Sequence, residues 1–344
     1  LWEMDRISAP QVSPDGTQIV FGLSSLDVEN NRRRSDLWIV GVDGSELRRL
    51  TTHPSGEFNH RWAPDGSGVF FLSARSGSAQ VWYIGMGGGE AQQITDLPLG
   101  IGSMALSPDG SHLAISMEVF TDCSDLDCWV DRRADVSAEA SSGVLYDRLF
   151  VRHWDTWEDG RRSHIFVLPV DGDGDPVDVM EGIDGDSPSV PFGGPEEYTF
   201  TPDGQAIVFT ARVAGSSEPW STDFDLYIAP VDGSHAPRLL TTENRAWDTQ
   251  PVFSPDGNTL AYLAMERPGF EADRFRILLQ DWPHGETRVL TEEWDRSVGS
   301  MTFSPDGETL LVTAQNLGNT SLFAIDVASG EVNDLILEGT VRSP

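Results

Sequence analysis

Apolar and polar positions alternate along this chain in short runs, and none of these runs carries the 3.6-residue apolar period of a helix. The runs come in a fixed order. A short apolar stretch leads into a turn: "APQV", "NHRW", "GSMAL", "EEYTF", "TQPVF", "VGSMTF". A second stretch, rich in β-branched and aromatic residues, follows it: "TQIVFGL", "GVFFLSA", "HLAISME", "AIVFTAR", "TLAYLAM", "TLLVTAQ". A third comes later: "DLWIVGV", "QVWYIGM", "HIFVLPV", "DLYIAPV", "RILLQDW", "SLFAIDV". After a Gly-containing hairpin turn a fourth closes the unit: "LRRLT", "AQQIT", "PVDVM", "PRLLT", "TRVLT", "VNDLI".

The turn between the first and second stretches is nearly constant. It reads SPDG at 13–16, APDG at 63–66, SPDG at 107–110, TPDG at 201–204, and SPDG at 254–257 and 304–307. Pro presets φ at one central turn position, Asp bonds back to the local backbone, and Gly accepts φ > 0. Four antiparallel strands per unit of about 45–50 residues predict the blades of an all-β β-propeller. Six such units are counted over 1–344. The Pro-to-Pro steps are 50, 44, 94, 53 and 50 residues. The long step holds a single set of third and fourth strands, so it is one blade with an insertion at about 118–163. Trp38, Trp82, Phe166, Tyr227 and Phe323 share one register of the third strand and are expected to pack between blades.

Composition narrows the partners. The net charge is -32, from 55 acidic and 23 basic residues, and every one of the 23 is Arg. Such a surface disfavours nucleic acid and anionic membranes, so neither is an expected partner. Adaptation to salt and a codon bias both account for the absence of Lys. No run reaches the length of a membrane-spanning helix. Leu1 is not preceded by a signal-peptide pattern, and both ends read as cut, with any targeting segment outside the chain.

Candidate chemistry gathers in the insertion. Its first part, "EVFTDCSDLDCWVD", is acidic and holds the two cysteines, Cys123 and Cys128. A loop disulfide is expected there, against the alternative of two free thiols. Its second part, "RLFVRHWDTWEDGRR", clusters Arg152, His153, Asp155 and Glu158, which suit a charged ligand or, equally, a self-satisfied salt network. A second segment, "MERPGFEADRF" at 265–275, puts Glu271 and Arg274 on a loop able to reach one face of the disk, or simply to be solvated. "DGDGDPVDVMEG" at 171–182 departs from a calcium loop at Pro176 and Gly182. No G-x-S-x-G nucleophile elbow, H-E-x-x-H or phosphate loop occurs, so no catalytic residue, metal or cofactor is expected in this chain.

Longer stretches carry a resemblance. "ISAPQVSPDGTQIVF", "DLWIVGVDGSELRRLT", "FLSARSGSAQVWYI", "YDRLFVRHWDTW", "STDFDLYIAPVDG", "AWDTQPVFSPDG" and "RPGFEADRF" together resemble the N-terminal propeller of the prolyl oligopeptidase family of serine peptidases, near dipeptidyl peptidase V and the bacterial acylaminoacyl peptidases. The resemblance runs from Leu1 to about Gly339. It implies a C-terminal α/β-hydrolase domain of the same polypeptide, carrying Ser, Asp and His, that lies outside this chain. It also implies a propeller of seven or eight blades in all. The implied activity is release of dipeptides or acyl-amino acids from peptide N-termini, in the bacterial periplasm or outside the cell. The propeller would gate the cleft, with Arg152, His153, Asp155, Glu158, Glu271 and Arg274 as substrate-binding residues and the peptide's amino end as ligand. A homodimer is compatible with this reading. The rival expectation is a stand-alone TolB-like periplasmic scaffold that docks proteins.

Overall fold

The computed structural model describes residues 4–138, 141 and 143–344. Six four-stranded antiparallel sheets make it a six-bladed β-propeller, the number counted from the repeat. The larger total of seven or eight implied by the family resemblance is not reached among the described residues. Each sheet is built from one stretch of chain, in the order first, second, third, fourth strand. Blade one runs from Arg6–Val12 to Arg48–Arg49, blade two from Phe58–Trp62 to Gln92–Gln93, and blade three from Ile101–Leu106 to Val177–Asp178. Blade four runs from Tyr198–Phe200 to Arg238–Leu239, blade five from Asp248–Phe253 to Thr287–Val289, and blade six from Val298–Phe303 to Val332–Ile336. The chain divides into two compact units, Leu1–Glu118 with Phe166–Val177, and Val119–Ile165 with Asp178–Pro344.

The constant turn explains itself at atomic scale. In five blades the hydroxyl before Pro donates to the Asp two residues on, at 2.6 Å from Ser13, Ser107, Thr201, Ser254 and Ser304. The same oxygen accepts the backbone N–H that opens the second strand, at 2.9 Å from Gln18 and His112 and 3.0 Å from Ala206, Thr259 and Thr309. Blade two has Ala63 at this position and lacks both bonds. The Gly has a second duty besides its positive φ. A Cβ at Gly257 would come within 2.8 Å of Pro202, so successive turns abut.

A second repeated device ties the third strand to the fourth. A Thr just past the fourth strand accepts a backbone N–H from the third: Leu37 to Thr51, Val81 to Thr95, Leu226 to Thr241 and Ile277 to Thr291, all at 2.9 Å. In blade three Met180 stands in that place, and its sulfur faces the N–H of Ile165 at 3.3 Å. The core lies between neighbouring blades. Val20, Leu37 and Ile39 of blade one pack with Trp62, Val69 and Phe71 of blade two, and blades five and six share a similar cluster. Phe166, Tyr227 and Phe323 are buried, and Trp82 covers the first of these clusters.

Candidate functional site: the insertion and its acidic cavity

The insertion leaves blade three after the second strand, His112–Val119, and returns at the third, Arg162–Pro169. Its acidic first part contains a helix, Leu126–Ala138, which the alternation of the blades gave no reason to expect. Asp125 caps it, accepting the N–H of Cys128 at 2.8 Å. Trp129 is buried and donates its indole N–H to the Phe120 carbonyl at 2.9 Å. Cys123 and Cys128 form a disulfide across the helix start. Arg132 pairs with Asp122 and lies 5.0 Å from the Phe120 ring centroid.

The second part forms a two-stranded hairpin in which Arg152 pairs with Trp157 and His153 with Thr156. Trp154 and Asp155 are its two-residue tip, and both are exposed. Arg152 stacks over Trp157 and donates to the Trp154 carbonyl. His153 packs on Phe150, with ring centroids 4.2 Å apart, and its Nε2 stands 3.8 Å from Glu158.

Beside the hairpin is a cavity of about 470 Å³ lined by residues of Val144–Phe150 and Glu158–Arg162 together with Thr121, Asp184 and Glu218. Of Arg152, His153, Asp155 and Glu158, only Glu158 reaches its wall. The lining holds five carboxylates, Asp147, Glu158, Asp159, Asp184 and Glu218, against three arginines, Arg148, Arg161 and Arg162. The arginines are already engaged. Arg162 contacts Asp184 at 3.0 Å, Asp186 at 2.9 Å and Glu218 at 3.1 Å. Arg161 pairs with Asp159 at 2.6 Å, and Arg148 lies 3.7 Å from Asp184.

Glu158 is half-buried, and its backbone is held by the Tyr146 hydroxyl at 2.8 Å and by the Val151 carbonyl at 3.1 Å. Burial raises its pKa, the Asp186 carboxylate adds to this, and the Arg162 guanidinium opposes it. Burial works against the charge on Arg162, but Glu218, Asp186 and Asp184 outweigh it and hold the guanidinium firmly protonated. The cavity is thus a negatively biased recess in which the arginines pair with Asp159, Asp184 and Glu218, and the half-buried Glu158 has only the titratable His153 beside it. That arrangement suits an ammonium group.

The cluster around Arg162 was not among the expected site residues. Its members lie 22, 24 and 56 residues from Arg162 in sequence and meet only through the fold. The short 3₁₀ turn Gly215–Trp220 supplies Glu218. The one sequence cue is positional. The third-strand stretches read from the sequence begin with polar residues, Asp36, Gln80, His164, Asp225, Arg276 and Ser321, and Arg162 stands two residues before that position in blade three.

The loop 265–275 is organised by Asp273, which accepts the backbone N–H groups of Glu266 at 3.0 Å and Arg267 at 2.8 Å. Arg274 spends its guanidinium on the carbonyls of Thr291, Glu292 and Trp294, which makes it a brace for the chain beyond blade five. Glu271 is exposed, and no residue of the loop lines the cavity. At 171–182, Asp171 accepts the N–H of Asp173 at 3.1 Å in an ordinary turn. Among the described residues no group of three or more His, Cys, Asp or Glu is placed to hold a metal ion.

A family model for the TolB β-propeller domain matches residues 4–123. Dipeptidyl-peptidase 5 of Porphyromonas gingivalis is 30% identical over 336 residues, which is 96% of this chain and 48% of that protein. Dipeptidyl-peptidase 5 of Aspergillus fumigatus is 30% identical over 210 residues, 55% of this chain and 29% of that one. The chain groups with the propellers of prolyl oligopeptidase-family peptidases. Among solved structures, the acylaminoacyl peptidase of Pyrococcus horikoshii superposes with a TM-score of 0.68 at 16% identity, over 98% of this chain and 47% of that one. The propeller domain of the Trilobed protease from Pyrococcus furiosus, described as an open velcro topology, gives 0.61 at 15% identity over 98% and 85%. These structural likenesses speak to the fold alone. The chain spans about half or less of the length of the curated relatives it matches. Among the described residues no helix is long and apolar enough to cross a membrane.

Proposed function

We propose that this propeller forms part of the substrate cleft of a periplasmic or secreted serine exopeptidase that releases dipeptides or acyl-amino acids from peptide N-termini. The α/β-hydrolase domain that performs acyl transfer belongs, on this reading, to the same polypeptide. The propeller limits access and orients the peptide, and its insertion holds the substrate's amino end. The observation that carries this is the half-buried Glu158 in a recess whose arginines are already paired. A peptide ammonium entering there gains a charge-assisted hydrogen bond and relieves the like-charge crowding that Asp186 and Glu218 impose on Glu158.

The experiment compares Glu158→Gln and Asp155→Asn in the full-length enzyme, on a free-amine dipeptide substrate and on its N-blocked analogue. Glu158→Gln is expected to lower kcat/KM about 30- to 1,000-fold on the free amine, equivalent to roughly 2–4 kcal/mol, and to leave the blocked analogue nearly unchanged. Asp155→Asn, at the exposed hairpin tip, is expected to leave both unchanged. Equal losses on both substrates would reject the anchor role. Should the gene carry a stop directly after codon 344 and no G-x-S-x-G elbow, the scaffold reading would replace the peptidase one.

A further inference from the structure

We propose that the junction of blades four and five is a proton-operated latch on the loop 265–275. With a proton held in the Asp225–Asp248 pair the loop is fastened, and loss of that proton releases it.

Among the described residues four junctions share one layout, and this one alone carries a buried acid, Asp248, with no arginine on it. Between blades one and two, Glu57 is buried, accepts from Thr51 at 2.5 Å and pairs with Arg75 at 2.5 Å. Asp36 beside it is met by Arg49 at 2.5 Å and Arg34 at 3.3 Å. Between blades two and three the acid is replaced by the neutral Gln80, bonded to Thr95 at 2.9 Å. Between blades five and six the position is Arg276, which finds Glu292 at 2.8 Å and Glu266 at 3.3 Å.

Between blades four and five both positions are acids. Asp248 is 1% exposed. Its Oδ1 accepts from Asn244 at 2.6 Å, and its buried Oδ2 has no hydrogen-bond partner. Thr241, whose oxygen already accepts the N–H of Leu226, has one proton for two acids: its hydroxyl stands 3.2 Å from Asp225 and also lowers the pKa of Asp248, so it cannot serve both at once. The surrounding groups are accounted for element by element. Asp223 and Tyr227 flank Asp225 on its own strand and lead-in, Thr241, Asn244 and Arg245 come from the connection to blade five, and Tyr262 comes from the second strand of that blade. Arg245 is largely exposed and lies 3.5 Å from Asp223. Burial, followed by the charges of Asp225 and Asp223, pushes Asp248 up to about 7. Burial and Asp223 push Asp225 up to about 6. Two ionised carboxylates in this space repel each other and leave a buried oxygen without a donor, and one proton removes both costs.

The pair is wired to the loop at both ends. Asn244 bridges Asp248 to the Met265 carbonyl at 3.0 Å, and the Met265 N–H returns to the Trp247 carbonyl at 2.9 Å. Gly269 donates to Thr222 at 2.8 Å, on the segment that leads into Asp225. Phe224 stacks on Trp247 at 4.2 Å between centroids, and Trp247 meets Phe275 edge-on at 5.8 Å. Repulsion between Asp225 and Asp248 therefore pulls on the segments that anchor 265–275.

The test is amide hydrogen exchange on the intact protein at pH 5.5 and pH 8, corrected for intrinsic rates. In the wild type, protection at the Met265, Gly269 and Asp248 amides is expected to fall at least tenfold between the two. Leu37, at the compensated junction, reports the change in global stability over the same interval, and the tenfold fall is read relative to it. Asp248→Asn is expected to abolish the step and keep the loop protected at both values. A flat wild type, or a step that survives in Asp248→Asn, overturns the proposal. If Asp248→Asn does not fold, Asp225→Asn takes its place: a protected, flat loop supports the latch, and a persisting step or a loop open at both pH values overturns it. At pH 8 the measurement is repeated in sodium chloride and in choline chloride. Recovery in sodium alone would make the missing counter-charge a metal ion and overturn the proton assignment, whereas an equally open loop in both salts supports it.

Discussion

Across the six blades the same few bonds recur, whereas between Phe120 and Arg161 almost every contact occurs once. A blade is held by a hydroxyl–aspartate turn, a threonine at the fourth strand and apolar side chains shared with its neighbour. The insertion is held by one disulfide, one buried Trp129 and one arginine, Arg162, that gathers three carboxylates. Redundancy makes the loss of any single blade device mild. Singularity makes each tie in the insertion decisive for the recess it shapes. The same contrast holds for charge. The repeated turn aspartates sit at the surface with lowered pKa values, Asp109 and Asp256 at about 2, with the hydroxyls of Ser107 and Ser254 as the leading cause. Burial pushes Glu57, Glu158, Asp186, Glu197, Asp225 and Asp248 upward instead, and none of these is a repeated turn aspartate.

The broadest way to sharpen this comparison is pH. Glu197 is buried and pushed to about 7 by that burial, and Asp248 and Asp225 stand at about 7 and about 6. Each folded pKa is above its unfolded value, so the stability these groups contribute is complete below about pH 4 and is lost as pH rises through 6 to 7. Unfolding free energy is expected to fall by on the order of 5 kcal/mol between pH 4.5 and pH 8. Denaturant melts at a series of pH values measure it. Stability that rises over that interval would contradict the assignment.

Next in size is Arg162→Met. It removes the charge that compensates the buried Asp186 and the neighbouring Glu218, at a cost of about 3–5 kcal/mol near neutral pH. The loss should shrink in acid, because burial already raises the pKa of Asp186. A loss of equal size at every pH would mean that the arginine acts by packing alone. Smaller again is the paired change Cys123→Ser and Cys128→Ser. Opening so small a ring is expected to cost about 2 kcal/mol in the chain-entropy model. Its effect should appear as exchange at the amides of Leu126–Ala138, with the main melting transition of the blades in place. A shift of the whole transition would show that the insertion and blades unfold together.

The comparison also decides what could be read from the sequence. The blade count, the strand order and the insertion's position were legible because each copy repeats the same local physics, and six weak patterns in register reinforce one another. Thr51, Thr95, Thr241 and Thr291 were visible as the end of an "LT" or "IT" pair, although their part as acceptors for the third strand was not. The insertion offered composition alone. From it Glu158, Asp155, Arg152 and His153 looked equivalent, yet the hairpin register sends Asp155 to an exposed tip and leaves Glu158 on the cavity wall. Arg162, Asp184, Asp186 and Glu218 could not be grouped in advance, because only pairing of the third strand of blade three and the turn after blade four's second strand brings them together. Arg274 looked like a ligand-facing charge and serves backbone carbonyls, a role that no side-chain pattern encodes.

The smallest effect is expected where the chain has already run the experiment. Blade two carries Ala63 where five other blades carry a hydroxyl, so its turn forms without the bond to Asp65 or the bond to the second strand. Its backbone is otherwise alike, with Gly66 donating to the Ala63 carbonyl at 2.8 Å, as Gly257 donates to Ser254 at 2.9 Å. Ser254→Ala is expected to cost about 1 kcal/mol, since it removes two hydrogen bonds at a position that is 8% exposed and leaves Asp256 free to take water instead. Ala63→Ser should return part of that, roughly 0.5–1 kcal/mol, because the new hydroxyl meets an aspartate and an N–H that the other five turns show to be in the right places. The two substitutions together should nearly cancel, because the sites lie in different blades and share no partner. Denaturant midpoints for the two single variants and the double variant test this. A stabilising Ser254→Ala, or an Ala63→Ser that destabilises, would show that the turn is set by the Pro–Asp–Gly backbone alone and that the hydroxyl follows from it.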